Sequence, residues 1–429
     1  MHELSILIKE DMKPALGVTE PGAIAFAVAK AREILKGDVQ NICLRLNSGM
    51  YKNAYTCGIP NSEFFGNEYA AALGAIAGKS ELALECLAEV DPEDNQVAEQ
   101  WVKEGRIKVE ITEMSPDIFI QAILQSSNDE VSVTIQDTHT HITEIRQGDK
   151  VLFSQERIKR SEEGGPALIH KYSLAEILNY CKTVPLEEID FVAAAYKMNY
   201  ELFELGLESP RTRFSRYLFE QNEGVVFSTD EEKTASLLCN TAIEARVLGL
   251  NKPAMSITGS GAHGIITTLP LYAVAKIRNL SDEELYRATM LSYLVCTYIK
   301  EYSGRLSAFC GCAIAGGAGM SLGLVLLFGG GLREMEYCLN GMAGSITGMV
   351  CDGGNQGCTM KGVVAVSTAF QSAHMAMHKV YLDPIHGVVG MSPEDTMRQM
   401  GRVASPGMVQ TESTIVDIIS EKKKIELNY

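Results

Sequence analysis

The sequence predicts an α+β protein, in which a small α/β N-terminal domain with a β-rich portion precedes a large, glycine-rich, all-helical domain. Three observations carry this prediction. Apolar and polar residues alternate with the two-residue period of strands between about Val102 and Ile158, whereas apolar residues recur at helical spacing beyond about residue 170. In addition, 16 of the 38 glycines fall between Gly304 and Gly362. We expect the two domains to span residues 1–165 and 166–429.

The N-terminal segment has the pattern of two helices with an extended stretch between them. "EPGAIAFAVAKAREIL" is rich in alanine, has Pro21 in its first turn and carries apolar residues at helical spacing. "VQNICLRLNSG" alternates as a strand does, and "NEYAAALGAIAGKSELALECL" returns to a helical pattern that breaks near Gly78. We therefore expect a helix, a strand and a second helix before residue 90.

The β-rich portion follows these elements. Its segments "RIKVEITEM", "EVSVTIQDTHTHITEIRQG" and "KVLFSQERI" alternate strictly, are rich in β-branched residues and end at turns such as "RQGDK". The charged, glycine-rich stretch "KRSEEGGPA" at residues 159–167 is the best linker in the chain. It marks the expected boundary between the two domains.

Helices are expected in the rest of the chain, and no strand is predicted beyond about residue 170. Apolar residues at helical spacing characterise the segments "SLAEILNYCKTV", "EEIDFVAAAYKMNYELFELG", "EEKTASLLCNTAIEARVLGL", "SDEELYRATMLSYLVCTYIKEY" and "GVVAVSTAFQSAHMAMHKVYL". The run from Leu306 to Leu332 has 27 residues without a charge, which is long enough to cross a membrane. It contains eight glycines, however, and no second run is comparably long. We therefore expect a closely packed buried helix.

Composition limits the classes of partner. The chain has 38 basic and 54 acidic residues and a net charge of -16, so nucleic acid and anionic membranes are poor candidates for binding. The N-terminus has charges throughout and lacks the apolar stretch of a signal peptide. Eleven cysteines without an export signal favour a reducing compartment. We expect a cytoplasmic protein whose thiols are free, catalytic or metal-bound.

Four cysteines lie in the glycine-rich region. Cys310 and Cys312 belong to "FCGCAIAGG", whereas Cys351 and Cys358 flank a loop of turn-forming residues in "CDGGNQGC". Buried cysteine often packs as a small hydrophobic residue, but a polar loop offers few core partners. Neither spacing matches the usual structural zinc or ferredoxin patterns. Spacing alone makes a metal site plausible and leaves the metal undetermined.

The loop "TGSGAHGIITTLP" and the histidines give further candidates. The backbone N–H groups of such a loop can bind a carboxylate or phosphate, although a plain tight turn is at least as common. His263 lies in this loop. His139 and His141 form an H-x-H pattern on a predicted strand, which is more often solvated surface than ligand. His374 and His378 lie one helical turn apart without the glutamate of the zinc-protease motif, so helix surface is the better interpretation.

Several motifs, taken in order, resemble one family. They are "GVTEPGAIAFAVAKA", "YKNAYTCGIPNS", "AAALGAIAGKSELALECL", "THTHI", "TGSGAHGIITTLP", "LSAFCGCAIAGGAG" and "CDGGNQGCTMK", and the last two are the most specific. The chain resembles the iron–sulfur L-serine dehydratase superfamily over nearly its whole length. The most similar branch is the single-chain one that includes L-cysteine desulfidase.

The resemblance implies a [4Fe–4S] cluster with one open iron. Carried over to this sequence, Cys351 and Cys358 are two of its ligands, and the third comes from "CGC". We prefer Cys312, at the start of the helix, over Cys310. The glycines of the loop would let backbone N–H groups approach the cluster sulfurs. The implied activity is the removal of a β-thiol or β-hydroxyl group and ammonia from L-cysteine or L-serine to give pyruvate.

The resemblance also implies how a small amino acid substrate is held. The residues expected to bind its carboxylate and amine are Thr19, Glu20, Lys52, Asn53, Ser260, Gly261 and Gly264. No further cofactor is implied. A homodimer is compatible with the sequence.

Two departures from the family pattern concern catalysis. Val18 stands in "GVTEP" where the desulfidase-like relatives have the cysteine thought to act as base, and valine cannot transfer a proton. The substrate loop reads "GAHG" where relatives have "GNQG", which introduces His263. We predict that His263 has taken over proton transfer, which suits its near-neutral pKa. The alternative is a family member with another substrate, or one that binds a small acid without turning it over.

Overall fold

The computed structural model describes residues 1–115, 117–157, 167–304 and 306–426, with side chains as far as residue 422. Nearly all of the predicted linker, and the boundary between residues 165 and 166, lie outside the described residues. The division into two domains therefore stays a prediction.

Within the described ranges, eight strands form two sheets. Their bounds are β1 Lys13–Leu16, β2 Asn41–Leu46, β3 Ile107–Ile111, β4 Phe119–Gln125, β5 Glu130–Gln136, β6 Ile142–Gln147, β7 Lys150–Ser154 and β8 Pro253–Ser256. The larger sheet has the order β3-β2-β4-β5-β6-β7, in which β2 is parallel to β3 and all other neighbours are antiparallel. β1 and β8 form a separate antiparallel pair.

Helices make up most of the remainder. In the N-terminal region they are α1 Glu3–Asp11, α2 Thr19–Ile34, α3 Ser48–Ala54, α4 Asn67–Ile76 and α5 Pro92–Lys103. Beyond the linker they are α6 Leu174–Thr183, α7 Ala193–Glu208, α8 Phe214–Gln221, α9 Glu231–Val247, α10 Gly261–Ile266, α11 Leu269–Arg278 and α12 Asp282–Ser303. The last five are α13 Gly317–Leu327, α14 Leu332–Ile346, α15 Gly357–Met377, α16 Pro393–Arg402 and α17 Val409–Glu426.

This architecture confirms the predicted fold class, with one local error. Beyond residue 170 we predicted no strand, yet β8 pairs with β1 in the register Lys13 to Ser256. β8 has only four residues and begins with a proline. Alternation cannot be read from so short a segment, and the strand exists because an N-terminal segment pairs with it.

The N-terminal core forms around α2. This helix packs across β4 and β5 on one side and against α4 on the other, so nearly its whole length is buried. Gly74 of α4 lies directly against the backbone of α2, and a Cβ there would come within 2.7 Å of the carbonyl oxygen of Ala25. The small residues of both helices therefore permit a close helix pair.

The uncharged run at residues 306–332 is a buried helix, as predicted. It contains a π-helical turn at Cys312–Gly316 and then α13, which packs against α12, α14 and α15. Gly319 of α13 touches the backbone of Ser292 in α12 so closely that no side chain would fit between them. None of the helices in the described ranges is both long and apolar enough to span a bilayer.

Several contacts join the N-terminal region to the helical region, and two of them flank long stretches of chain. One is the β1–β8 pair. Another is a buried salt bridge in which Lys52 of α3 donates to Glu412 of α17 over 2.6 Å. Residues of both regions line one cavity, so that cavity depends on both parts of the chain.

Candidate functional site

A cavity of about 90 Å³ lies between the two regions, and two chemically different walls surround it. One wall carries sulfur, from Cys310, Cys312, Cys351 and Cys358. The other is polar and includes Glu20, Asn53, His139, Arg246, Ser260 and His263. The predicted cysteines and most of the predicted polar residues therefore share one cavity.

Backbone hydrogen bonds bring the two cysteine segments together. Cys351 donates its N–H to the carbonyl of Ala308 over 2.6 Å, and Cys310 donates to the carbonyl of Met349 over 3.0 Å. These bonds flank an antiparallel bridge between Phe309 and Val350. The chain thus pairs "CGC" with the start of "CDGG" as a short two-stranded contact.

The other two cysteines, Cys312 and Cys358, lie in the first turns of helical segments. Cys312 opens the π-helical turn that leads into α13, a distortion that is frequent at functional sites. Its Sγ lies 3.8 Å from the carbonyl oxygen of Ala262. Cys358 lies in the first turn of α15, and its Sγ lies 3.5 Å from the carbonyl oxygen of Gly353.

Burial makes these thiols poor anions on their own. It is the largest cause that raises the pKa of Cys310 to about 12, followed by the charges of Cys351 and Cys358. Burial likewise raises the pKa of Cys312 well above its usual range. Buried thiolates are stable side by side only when a cation compensates them. The sulfur wall therefore fits a bound metal group.

The four cysteines do not form a site for a single metal ion within the described residues. Within the part of the chain that the structure describes, no three histidine, cysteine or acidic side chains converge closely enough to hold one metal ion. Thiolates that bind a cluster each contact a different metal atom, so they need not converge on one point. Cysteine sulfur is also the ligand type that iron–sulfur clusters use.

The glycines of the cysteine loop allow a close approach to α3. Gly353 has φ +106°, and a Cβ there would overlap the carbonyl oxygen of Lys52. At Gly354 a Cβ would overlap the sulfur of Cys57, and its N–H donates to the carbonyl of Asn53 over 3.1 Å. These contacts give the glycines a role in packing the loop against the α3 segment, and the approach of their N–H groups to cluster sulfurs stays a prediction.

Lys52 hydrogen-bonds to the backbone of the cysteine loop and does not line the cavity. Its Nζ donates to the carboxylate of Glu412, to the carbonyl of Cys351 over 3.0 Å and to the carbonyl of Ser307 over 3.3 Å. An ammonium group has three donors, and these three acceptors use all of them. Thr19, Gly261 and Gly264 are likewise buried beside the cavity without lining it.

Glu20 is a buried carboxylate in the first turn of α2. Asn53 donates its Nδ2 to Oε1 over 3.0 Å, and Thr19 donates its hydroxyl to Oε2 over 3.1 Å. Burial raises the pKa of Glu20, but His139, Asn53 and the charge of Arg246 lower it further, to about 2. The N-terminus of α2 also favours a negative charge here. Glu20 is therefore ionised at neutral pH.

His139 was misjudged from the sequence. It lies in the turn between β5 and β6 and not on a strand, and it is 6% exposed. Its Nε2 lies 3.7 Å from Oε1 of Glu20. The H-x-H pattern suggested solvated surface, but the turn folds back over α2. His374 and His378 lie on the exposed face at the end of α15, as expected.

The loop at residues 257–260 is a tight turn. Ser260 donates its N–H to the carbonyl of Ile257 over 3.0 Å, and Thr258 donates its N–H to Asp11. These two N–H groups are therefore occupied and cannot bind an anion. Thr258 has φ 51°, a left-handed conformation that costs energy for a β-branched residue and often marks a functional site.

The surroundings of His263 suit the tautomer that is protonated at Nδ1. The Thr258 hydroxyl lies 2.7 Å from the carbonyl oxygen of Ile257 and 2.5 Å from Nδ1 of His263, so it can donate to the carbonyl and accept from Nδ1. Nε2 then carries the free lone pair, and it faces Gly311 on the cavity wall. Burial, followed by the charges of Lys300 and Arg246, lowers the pKa of His263 well below its usual range. The ring is therefore neutral with an available lone pair at Nε2, but it is a weaker base than the near-neutral histidine predicted from the sequence.

Arg246, near the end of α9, is a site residue that sequence reasoning missed. It is 4% exposed and lines the polar wall. Its signal in the sequence was weak: "NTAIEARV" resembles any helix with a polar face. Only the structure shows that α9 is buried on all sides from Thr234 to Val247. The burial of a charged side chain at position 246 therefore requires an explanation.

Val18 lines the cavity at the start of α2. It packs with Cys57 and Val247 in a small apolar cluster that Cys358 also touches. The Sγ of Cys57 lies 2.6 Å from the carbonyl oxygen of Asn53 and 3.0 Å from that of Gly354, and its one hydrogen can be donated to either. The position of the family's thiol is therefore occupied by an apolar side chain next to the sulfur wall.

Comparison with known proteins supports these observations. Residues 81–417 match the serine dehydratase alpha chain family. A "UPF0597 protein" of Clostridium botulinum strain Okra is 40% identical over 97% of this chain and 98% of its own length. Similarly named proteins of Caldanaerobacter subterraneus and Bacteroides fragilis are 33% and 32% identical, each over 98% of both chains.

Proposed function

Because the chain belongs to the serine dehydratase alpha chain family, we propose that it is a [4Fe–4S]-dependent lyase. It would remove a β-thiol or β-hydroxyl group and ammonia from L-cysteine or L-serine to give pyruvate. The observation that carries this proposal is the wall of four cysteines facing a polar wall with a buried carboxylate and a neutral histidine. The first wall suits a cluster, and the second suits a small polar substrate.

Three of the four thiols would hold the cluster. Cys351 and Cys358 flank the glycine loop, and Cys312 is our choice for the third ligand because it opens a helix beside the cavity. Cys310 is the alternative, since its backbone pairs directly with the Cys351 segment. When bound, a cluster with an open iron supplies a Lewis acid that helps the β-group of the substrate to leave.

The polar wall would bind the substrate and move its proton. His263 would accept the α-proton at Nε2, with Nδ1 donating to the hydroxyl of Thr258. Ser260 and Asn53 line the cavity and can hold the polar groups of the substrate. Loss of the α-proton and the β-group leaves an enamine. The enamine isomerises to an imine, and water hydrolyses the imine to pyruvate and ammonia.

Val18 favours a second candidate function. An apolar side chain at the position of the expected base is consistent with a protein that binds a small acid and does not eliminate its β-group. The neutral, correctly oriented His263 favours the lyase. The two candidates differ in a single measurable property, which is pyruvate release.

The test uses protein purified and reconstituted without oxygen, because an open iron is oxygen-sensitive. Iron and acid-labile sulfide are measured first, and pyruvate release from L-serine and L-cysteine is measured next. We expect a filled cluster, turnover, and a loss of about 10²-fold or more in kcat for His263→Ala. His374→Ala, on the exposed end of α15, is the matched control. A filled cluster without pyruvate would favour the binding protein, and full activity of His263→Ala would rule out this base.

A further inference from the structure

Arg246 presents a buried cation to the cavity without a partner for its side chain. It is 4% exposed, and among the described residues its guanidinium makes no hydrogen bond or salt bridge. Its Nε is fully buried and unpaired. Burying a charge in this way is unfavourable unless a ligand pairs with it. Glu20 lies close enough for this charge to lower its pKa, yet the hydrogen bonds of the guanidinium are unmade, so Arg246 can still bind an anionic group.

The surrounding chain is shaped around this side chain. A Cβ at Gly261 would lie 2.6 Å from Nε of Arg246 and 3.1 Å from its Cδ. Gly261 thus leaves the space that the arginine stem occupies. The side chain is also near the C-terminal end of α9, where the helix dipole favours a positive charge. Arg246 is held in place although its guanidinium makes no hydrogen bond with any residue that the structure describes.

Glu20 is the complementary anion on the same wall. Its Oε1 already accepts from Asn53, but Oε2 accepts only from the hydroxyl of Thr19. A carboxylate oxygen has two lone pairs, so Oε2 can accept one further donor. Lys300 also lines this wall and has interactions of its own. Arg246 is therefore the cation of the wall whose guanidinium hydrogen bonds are unmade.

We propose that Arg246 binds the α-carboxylate of the substrate and that Glu20 accepts its α-ammonium group, so that the site selects free α-amino acids. The planar guanidinium can hold a carboxylate through two parallel hydrogen bonds, which lysine cannot do. Amines and simple carboxylic acids satisfy only one of the two buried charges. The inference rests on the proposed function for the nature of the ligand, a small β-substituted acid.

The test measures binding to the anaerobic holoenzyme by calorimetry with probes that have no β-group to lose. L-alanine carries both charges, ethylamine lacks the carboxylate, and propionate lacks the ammonium group. We expect L-alanine to bind about 10²-fold more tightly than either probe. Equal affinities for the three probes would overturn the inference without any variant.

Substitutions then test which residue binds each charged group of the amino acid. We expect Arg246→Met to weaken the binding of L-alanine by about 10²-fold and to leave the affinity for ethylamine unchanged. Glu20→Gln should weaken the binding of L-alanine and of ethylamine but not the binding of propionate. Arg246→Lys should recover only part of the loss. Arg216→Met, an exposed arginine of α8, is the control. Unchanged L-alanine binding by Arg246→Met overturns the inference, as does an equal loss for L-alanine and ethylamine.

The outcomes separate this inference from the lyase proposal. Iron content of each variant, measured in the same preparations, establishes that the cluster is intact. Binding of L-alanine that depends on Arg246, with no pyruvate from L-serine or L-cysteine, supports the clamp and rejects the lyase. Pyruvate release with undiminished kcat/KM in Arg246→Met rejects the clamp and supports the lyase.

Discussion

The sulfur wall and the polar wall of the cavity are built in different ways. Four cysteines come from two short segments, residues 310–312 and 351–358, whose backbones pair directly. The polar wall collects single side chains from α2, α3, the β5–β6 turn, α9 and the α10 loop. Short sequence motifs therefore form the sulfur wall, whereas the polar wall forms only when distant parts of the chain pack together.

The walls also differ in their charge balance. Burial raises the pKa values of Cys312 and Cys358, so these thiols need a bound cation before they become thiolates. On the polar wall, Glu20 is already ionised and held by Asn53 and Thr19. The thiols of the sulfur wall thus ionise only when a cation binds, whereas Glu20 of the polar wall is ionised and hydrogen-bonded before any ligand binds.

The largest effect should come from the sulfur wall. Cys351→Ser is expected to remove iron, acid-labile sulfide and pyruvate release together, because a thiolate ligand is lost. Cys312→Ser should do the same, whereas Cys310→Ser should retain iron, which decides the third ligand. Cys43→Ser, on a half-buried strand position, is the control. Full iron content in Cys351→Ser would remove that residue from the ligand set.

The next effect should come from the support beneath the sulfur wall. Glu412→Gln leaves the fully buried Lys52 without its charged partner, which should destabilise the fold by about 3–5 kcal/mol in urea unfolding. Glu421→Gln, exposed on the same helix, should change little. The double variant Lys52→Met with Glu412→Leu should be more stable than either single variant. Additive losses would mean that the pair is not coupled.

A smaller effect is expected where a glycine makes room for the polar wall. Gly261→Ala would place a Cβ 2.6 Å from Nε of Arg246, so the guanidinium must shift. We expect KM for L-serine to rise about tenfold with iron content unchanged. Gly348→Ala is the matched control, because a Cβ there meets nothing within 4 Å. An unchanged KM would show that the position of Arg246 is unimportant for binding.

The smallest effect should come from Val18, where the two walls meet. If His263 is the base, Val18→Cys restores a thiol that the reaction no longer needs, and kcat should change less than about threefold. Val18→Ala measures the effect of lost packing with Cys57 and Val247 alone. A rise of more than about tenfold in Val18→Cys only would mean that this chain lacks its base.

Sequence reasoning identified the elements that carry their own signal. The helix at α2, the strand at β2 and the buried helix at α13 were predicted because apolar periodicity and glycine spacing are local properties. β8 was missed because its pairing partner, β1, lies more than two hundred residues away.

The same distinction holds for the site. The cysteines were predicted from two adjacent motifs, and His263 from its loop. Arg246 and His139 were not predicted, because neither a charged helix residue nor a turn histidine indicates a site by itself. They become site residues because α9 and the β5–β6 turn pack around the same cavity. Lys52 was predicted to hold substrate, yet its three donors face Glu412, Cys351 and Ser307.

The salt bridge from Lys52 to Glu412 has a consequence for folding. Lys52 also donates to the carbonyl of Cys351, so the loop that bears this cysteine gains its full support only when α17 has docked. The cysteine loop should therefore reach its final conformation late in folding, after the segment that carries Glu412 has packed against α3.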